Sequence, residues 1–398
     1  MRQHRSISWC MTVSFLLGLG GCAGDSTKSP SNTAAPSAVV QAEEGTDQPQ
    51  SGEVQERAVA RPRMKQPGLN ILPAPGSAPV PLVPAVPPAR SCDAPGGVGV
   101  LPGEYAFGTY SWGRYLTAVN GGGQITEPVV RTDAQKAGPW EKFKLFVLPS
   151  EDPTGQWIIQ TATKNCITAV DGGGRTSQVL HTDATKAQSW EFFRFYFDPA
   201  GGWHTIQTVN LHYLTALGGG NHADPPAVHT DATKADNWER FRLWKCGDLG
   251  SGLPYSIWVP YNGTLLQAMG GGGRVLDALH AYEAPQQGWG IFKLLLQSDG
   301  SYAIQTANGN FITAIRGGGL AHGEPTWDNL VTDRTQVQAW EKFRFIDQGD
   351  CSYVIQTLSG FYLGMTNSPT NIPRAQFSTD ISDINYALRF RLIAAHIR

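Results

Sequence analysis

Apolar and polar residues alternate with a period of two through most of the chain beyond residue 95. From Trp157 the runs WIIQTAT, CITAV, QVLHT and FFRFYF each keep that alternation. It is the pattern of strands with one buried face. A glycine triplet, Gly172, Gly173 and Gly174, lies between the second and third runs. Glycine reaches positive φ without steric cost, so the triplet predicts a turn. The segment 182–187, Thr-Asp-Ala-Thr-Lys-Ala, predicts a single helical turn capped by its own side chains. Trp190-Glu191 then opens the last strand of the unit.

The same unit occurs six times. The small residue before the glycines falls at Ala118, Ala169, Ala216, Ala268, Ala314 and, imperfectly, Gly364. The closing tryptophans are Trp140, Trp190, Trp238, Trp289 and Trp340. The spacing is about fifty residues, a period of stacked or radially arranged copies. The sixth copy keeps YVIQT and FYLG but loses the glycine run and the tryptophan. Three units of four strands make one closed body, so the six make two. A turn-rich joint, KCGDLGSGLP at 245–254, divides the copies three and three. That joint predicts protease cleavage and two halves that fold alone. A single six-bladed β-propeller is the rival architecture.

The run "G-x-YLTA…GGG…WE-x-F" resembles fascin-like β-trefoil domains of the actin-crosslinking type. It is carried by Tyr115-Leu116-Thr117-Ala118, Tyr213-Leu214-Thr215-Ala216 and Phe311-Ile312-Thr313-Ala314, with Trp140-Glu141, Trp238-Glu239 and Trp340-Glu341. The resemblance implies two tandem β-trefoils over 92–248 and 253–395. Each would be a six-stranded barrel closed by three hairpins. Ricin-type trefoils carry Gln-x-Trp, whereas the matching places here read Ile-Gln-Thr, so that lectin family fits less well.

The amino terminus adds a compartment. Arg2, His4 and Arg5 precede an apolar stretch too short to span a bilayer comfortably, which reads as a targeting signal over 1–21. It ends in Leu-Gly-Gly-Cys22, which resembles a bacterial lipoprotein box. The resemblance implies a lipid on Cys22, a membrane anchor and a place in the cell envelope. Residues 22–91 are rich in Pro, Ala, Ser, Gln and Glu and lack an apolar period, the composition of a disordered tether. In an oxidising compartment Cys92, Cys166, Cys246 and Cys351 are free to pair. Cys92 and Cys246 bracket the first three copies and are the expected disulfide, with Cys166 a buried core residue.

Net charge is −2, so no global basic field draws the chain to nucleic acid. No hydrolase signature, zinc spacing or phosphate loop occurs, and neither metal nor cofactor is expected. The recurring Asp133, Asp183, Asp231 and Asp333 read as caps. Glu141, Glu191, Glu239 and Glu341 follow a tryptophan expected in the core and are expected to tie down backbone amides. Places where copies differ carry more information. Copy five inserts LAHGEPTWDNL, bringing Glu324, Trp327, Asp328 and Asn329 onto one loop. An aromatic face with amide and carboxylate suits stacking on and hydrogen bonding to a sugar. Copy one offers Trp112, Arg114 and Asn120, and copy three offers Asn221, His222 and Asp224. The combination predicts an exported, lipid-anchored, non-catalytic binding protein for a glycan or polysaccharide. A protein- or filament-bundling adaptor and a glycan-active enzyme are the alternatives.

Overall fold

The computed structural model describes residues 92, 99–111, 113–148, 155–261, 263–282, 288–321, 328–366 and 376–397. The targeting signal, Cys22 and the 22–91 tether lie outside the described residues, as do Trp112, Glu324 and Trp327. Among the described residues every regular element is a β-strand or a single-turn 3-10 helix.

The first and fourth strands of each copy close rings. Glu104–Thr109 pairs with Lys142–Leu148, which pairs with Gln156–Gln160. The ring continues through Phe193–Asp198, Trp203–Thr208 and Arg240–Cys246 and returns to Glu104–Thr109. A second ring runs Leu253–Val259, Ile291–Leu296, Tyr302–Gln305, Lys342–Asp347, Tyr353–Thr357, Arg389–Ala394 and back. The second and third strands of each copy form hairpins, such as Tyr115–Ala118 with Val130–Ala134. Each ring is thus a six-stranded barrel with added hairpins.

Alternation decides what fills them. Tyr105, Phe107, Phe143, Leu145, Phe193, Phe195, Phe241 and Leu243 point inward with Leu116, Ile167 and Leu214 from the hairpins. Tyr255, Phe292, Phe343, Ile355, Phe390 and Leu392 do the same in the second barrel. Each fully buried side chain of this size contributes about 1.5–3 kcal/mol.

The glycine triplet holds neighbouring copies together. Gly122 has φ 112°, and a Cβ there would lie 2.3 Å from Thr161 Oγ1 of the next copy. The third glycine then reaches across: Gly123 N–H donates to Thr182 O at 2.7 Å and Thr182 N–H to Gln124 O at 2.9 Å. Gly174 and Arg175 bond Thr230 in the same way, Gly273 and Arg274 bond Thr332, and Gly319 and Leu320 bond Thr379. The buried Thr of each Thr-Asp pair is therefore a backbone and hydroxyl bracket between copies. The helical turn expected at 182–187 is absent, because strand Leu180–Ala184 runs through Thr182 to make this bracket. The turn forms later, at Ser189–Glu191, and Asp183 caps no helix.

The disulfides differ from the expected Cys92–Cys246 pair. Cys92 is bonded to Cys166, and Cys246 to Cys351. Cys246 ends a strand that meets the second barrel, where Trp244 pairs with Ile393. Its thiol therefore faces the 349–352 turn and not the chain entry. Cys92 packs instead with Ile158 and Cys166 on the outer face of copy two. Cys166 is buried as expected, but as a bonded half-cystine.

The joint at 245–254 is partly buried, with Gly247, Asp248, Ser251 and Gly252 exposed. Lys245 and Cys246 are buried, and Tyr353 Oη donates to Gly247 O at 2.9 Å. The carboxyl terminus crosses back, with Ala394 and Ile397 belonging to the first core. Arg242 lies between the indoles of Trp203 and Trp258, 3.7 and 3.8 Å from their ring centres. Cation–π contacts of this kind contribute about 1–2 kcal/mol when desolvated. The two halves thus share core residues, a disulfide and stacked aromatics.

Candidate functional site

Glutamate and tryptophan in each Trp-Glu pair have opposite fates. In Trp140-Glu141-Lys142-Phe143-Lys144-Leu145, alternation places Glu141 on the side of Phe143 and Leu145, and Trp140 on the other. The structure follows that parity. Glu141, Glu191, Glu239 and Glu341 are buried. Their Oε2 atoms accept the backbone N–H three residues earlier, from Gly138, Gln188, Asp236 and Gln338, at 2.7–2.8 Å. In three copies Oε1 also accepts a hairpin hydroxyl, from Thr168 at 2.6 Å, Thr215 at 2.8 Å and Thr313 at 2.8 Å. The expectation that these carboxylates tie down amides is met.

The tryptophans are not core residues. Trp140, Trp190, Trp238 and Trp340 are 47, 44, 49 and 44 % exposed. Each sits in the middle of a three-residue 3-10 turn locked by its glutamate. Backbone and carboxylate hold the turn, so the indole projects without contributing to the barrel. The glycine turn of the same copy flanks it in two cases: a Cβ at Gly121 would lie 3.2 Å from Trp140 Cδ1, and one at Gly317 3.3 Å from Trp340 Cδ1. At Trp340 the turn opens into a cavity of about 360 Å³, lined by Arg334, Thr335, Gln336, Gln338 and Trp340 over Glu341. An aromatic face ringed by amides, a hydroxyl and a guanidinium can stack on a ring and donate hydrogen bonds to its substituents.

The residues singled out for copy-specific loops are placed as follows. Asn120 is exposed at φ 56°, in the turn beside Trp140. Arg114 is half-buried, and its carbonyl accepts Thr109 N–H at 2.8 Å. Asn221 stands where sister copies have the third glycine, and its N–H donates to Thr132 O at 2.7 Å. His222 N–H donates to Thr132 Oγ1 at 3.1 Å, and Asp224 is exposed. Asp328 Oδ2 accepts Asp277 N–H at 2.6 Å. Asn329 is 1 % exposed, with Nδ2 donating to Leu320 O at 2.9 Å and Ala321 O at 2.8 Å. Asn329 braces the loop base and is not presented to solvent. The described members belong to separate copies; the turn that carries Asn221 packs on copy one, where Ser111 N–H donates to Gly219 O at 3.0 Å, and Asn120 directly precedes Gly121, the glycine beside Trp140.

Among the described residues no group of three His, Cys, Asp or Glu could hold a metal ion. Two disulfides fit an oxidising compartment. No helix of the described residues is long and apolar enough to cross a membrane.

No family profile and no curated protein matches this sequence. Among solved structures, a mosquitocidal holotoxin is similar at 10 % identity and a TM-score of 0.32, covering 74 % of this chain and 34 % of its own. The chain thus spans about a third of the holotoxin's length. A designed threefold-symmetric protein, ThreeFoil, is similar at 16 % identity and a TM-score of 0.30, over 35 % of this chain and 97 % of its own. The Rhizoctonia solani agglutinin follows at 15 % and 0.28, over 37 % and 98 %. Likenesses this slight assign no ligand to the chain.

Proposed function

We propose that this chain is an exported, non-enzymatic carbohydrate-binding protein built on two tandem β-trefoils of fascin-like character. The ring closure supports the trefoil reading over the propeller, since a propeller keeps its four-stranded blades separate. The observation that carries the function is the recurrence of a half-exposed tryptophan on a rigid turn in four copies. A scaffold gains nothing from exposing four indoles, and a flat ligand gains a pre-ordered stacking face at each. The glutamates beside them are engaged in the turns, which favours binding over glycoside hydrolysis. Lipid attachment at Cys22 and the 22–91 tether would hold the barrels off an envelope membrane. Several weak sites on one tethered body would act together on a repetitive polysaccharide.

A glycan array probed with the intact mature protein tests this reading. The expected result is binding to a defined glycan class, weakened about tenfold or more by Trp340→Ala with the melting temperature held within a few degrees. Binding that survives loss of all four exposed tryptophans would defeat it.

A further inference from the structure

Copy five differs from its sisters around the tryptophan in one consistent respect, which is charge. In copies one to three the residue after Thr-Asp is Ala134, Ala184 or Ala232; in copy five it is Arg334. The left-handed residue of the glycine turn is Asn120, Asp171 or Gly218 in the sisters and Arg316 in copy five. A guanidinium at a left-handed position brings no relief to the backbone, because a β-carbon there is disfavoured whatever follows it. Arg316 directly precedes Gly317, the glycine that packs on Trp340. It is exposed. Arg334 lines the Trp340 cavity. Its side chain is 58 % exposed, and Asp333 Oδ2 lies 3.9 Å from Nε, which leaves the outer edge of the fork open. Glu341, the carboxylate under the cavity, is engaged by Gln338 N–H and the Thr313 hydroxyl.

From this we infer that the Trp340 cavity is a subsite for an anionic sugar unit, stacked on the indole with its carboxylate or sulfate ester held by Arg334, while Arg316 adds positive charge from the glycine turn that flanks Trp340. The planar guanidinium matches such groups in a two-pronged geometry that a lysine cannot reproduce. Gln336 and Gln338 are left to bond hydroxyls of the same ring. The inference rests on the carbohydrate reading above and specifies its ligand class at one site. The sister copies have a lysine, Lys136, Lys186 or Lys234, where copy five has Gln336, and no arginine at the places of Arg334 and Arg316.

Calorimetric titration of the full-length protein with three probes tests it: an oligomer of galacturonic acid, the same oligomer reduced at its carboxyls, and a sulfated galactan oligomer of similar length. An anionic probe should bind at least tenfold more tightly than the neutral one. The preferred anionic probe identifies carboxylate or sulfate as the group. Arg334→Gln should bring the preference within about threefold, Arg316→Asn should reduce it in part, and Trp340→Ala should weaken all probes. Equal binding of charged and neutral oligomers would overturn the anionic subsite and leave the carbohydrate reading standing. Binding of none of the three, with a blank glycan array, would overturn both. A charge preference untouched by either arginine variant would overturn the assignment to this cavity.

Discussion

A buried and a half-buried histidine join the barrels, and they make stability depend on pH with a definite sign. His204 is wholly buried, and its Nε2–H donates to Ala394 O at 2.9 Å. His396 donates from Nδ1 to Pro254 O at 3.2 Å, while Nε2 lies 3.4 Å from Tyr105 Oη and accepts from it. Both rings are thus held as neutral tautomers. Burial pushes His204 down to about 3 and His396 down to about 4 from the ordinary 6.5. Lys245 and the other imidazole add repulsion for a charged ring. A folded pKa below the unfolded one means that the unfolded chain binds protons first. The stability contribution is complete above pH 6.5 and is lost as pH falls towards 4. At pH 5 each ring should cost about 2 kcal/mol relative to pH 7.5, so the pair removes about 4 kcal/mol. Urea unfolding followed by tryptophan fluorescence at pH 7.5, 6.5 and 5 measures this. His396→Gln should be destabilised at pH 7.5 but should lose about half of the further drop. A flat stability between pH 7.5 and 5, or an unchanged slope in that variant, would refute the buried-neutral assignment.

Two other outcomes follow from the Trp-Glu turn and the cysteines. Glu191→Ala leaves the Gln188 amide and the buried Thr168 hydroxyl unpaired and should cost about 2–4 kcal/mol, whereas Trp190→Ala should change stability by less than about 1 kcal/mol; parallel thermal melts compare them. Peptide mapping without reduction should recover Cys92–Cys166 and Cys246–Cys351 linked peptides. Cys351→Ser opens a loop of 105 residues and should lose up to about 4–5 kcal/mol on the chain-entropy account.

Strand positions and the division into six copies were legible because alternation and a long period leave few alternatives. The same alternation places Glu141 inward and Trp140 outward, yet recurrence alone suggested a core tryptophan. Parity was the stronger signal. The half-cystine pairing was not legible, because it depends on which loops two closed barrels bring together. Cys246 and Cys351 meet only once Trp244 lies beside Ile393. The role of Asn329 was likewise hidden: its burial under Leu320 and Ala321 carbonyls depends on the path of an insertion, not on its composition. The Thr-Asp pair looked like a helix cap by local chemistry, and the bracket to a neighbouring glycine turn overrode it.

The return of the last residues to the first barrel sets the order in which the chain can become native. His396 meets Tyr105 across 291 positions and His204 meets Ala394 across 190. A growing chain that stops short of residue 394 has an amino-terminal barrel with an open core seat and unmated junction groups. Contacts of such separation are slow to form. Amide protection in Glu104–Thr109 and Trp203–Thr208, whose ladder partners all lie within 115–246, should therefore arise before residue 394 is made, whereas burial of the Tyr105 and His204 side chains should wait for it.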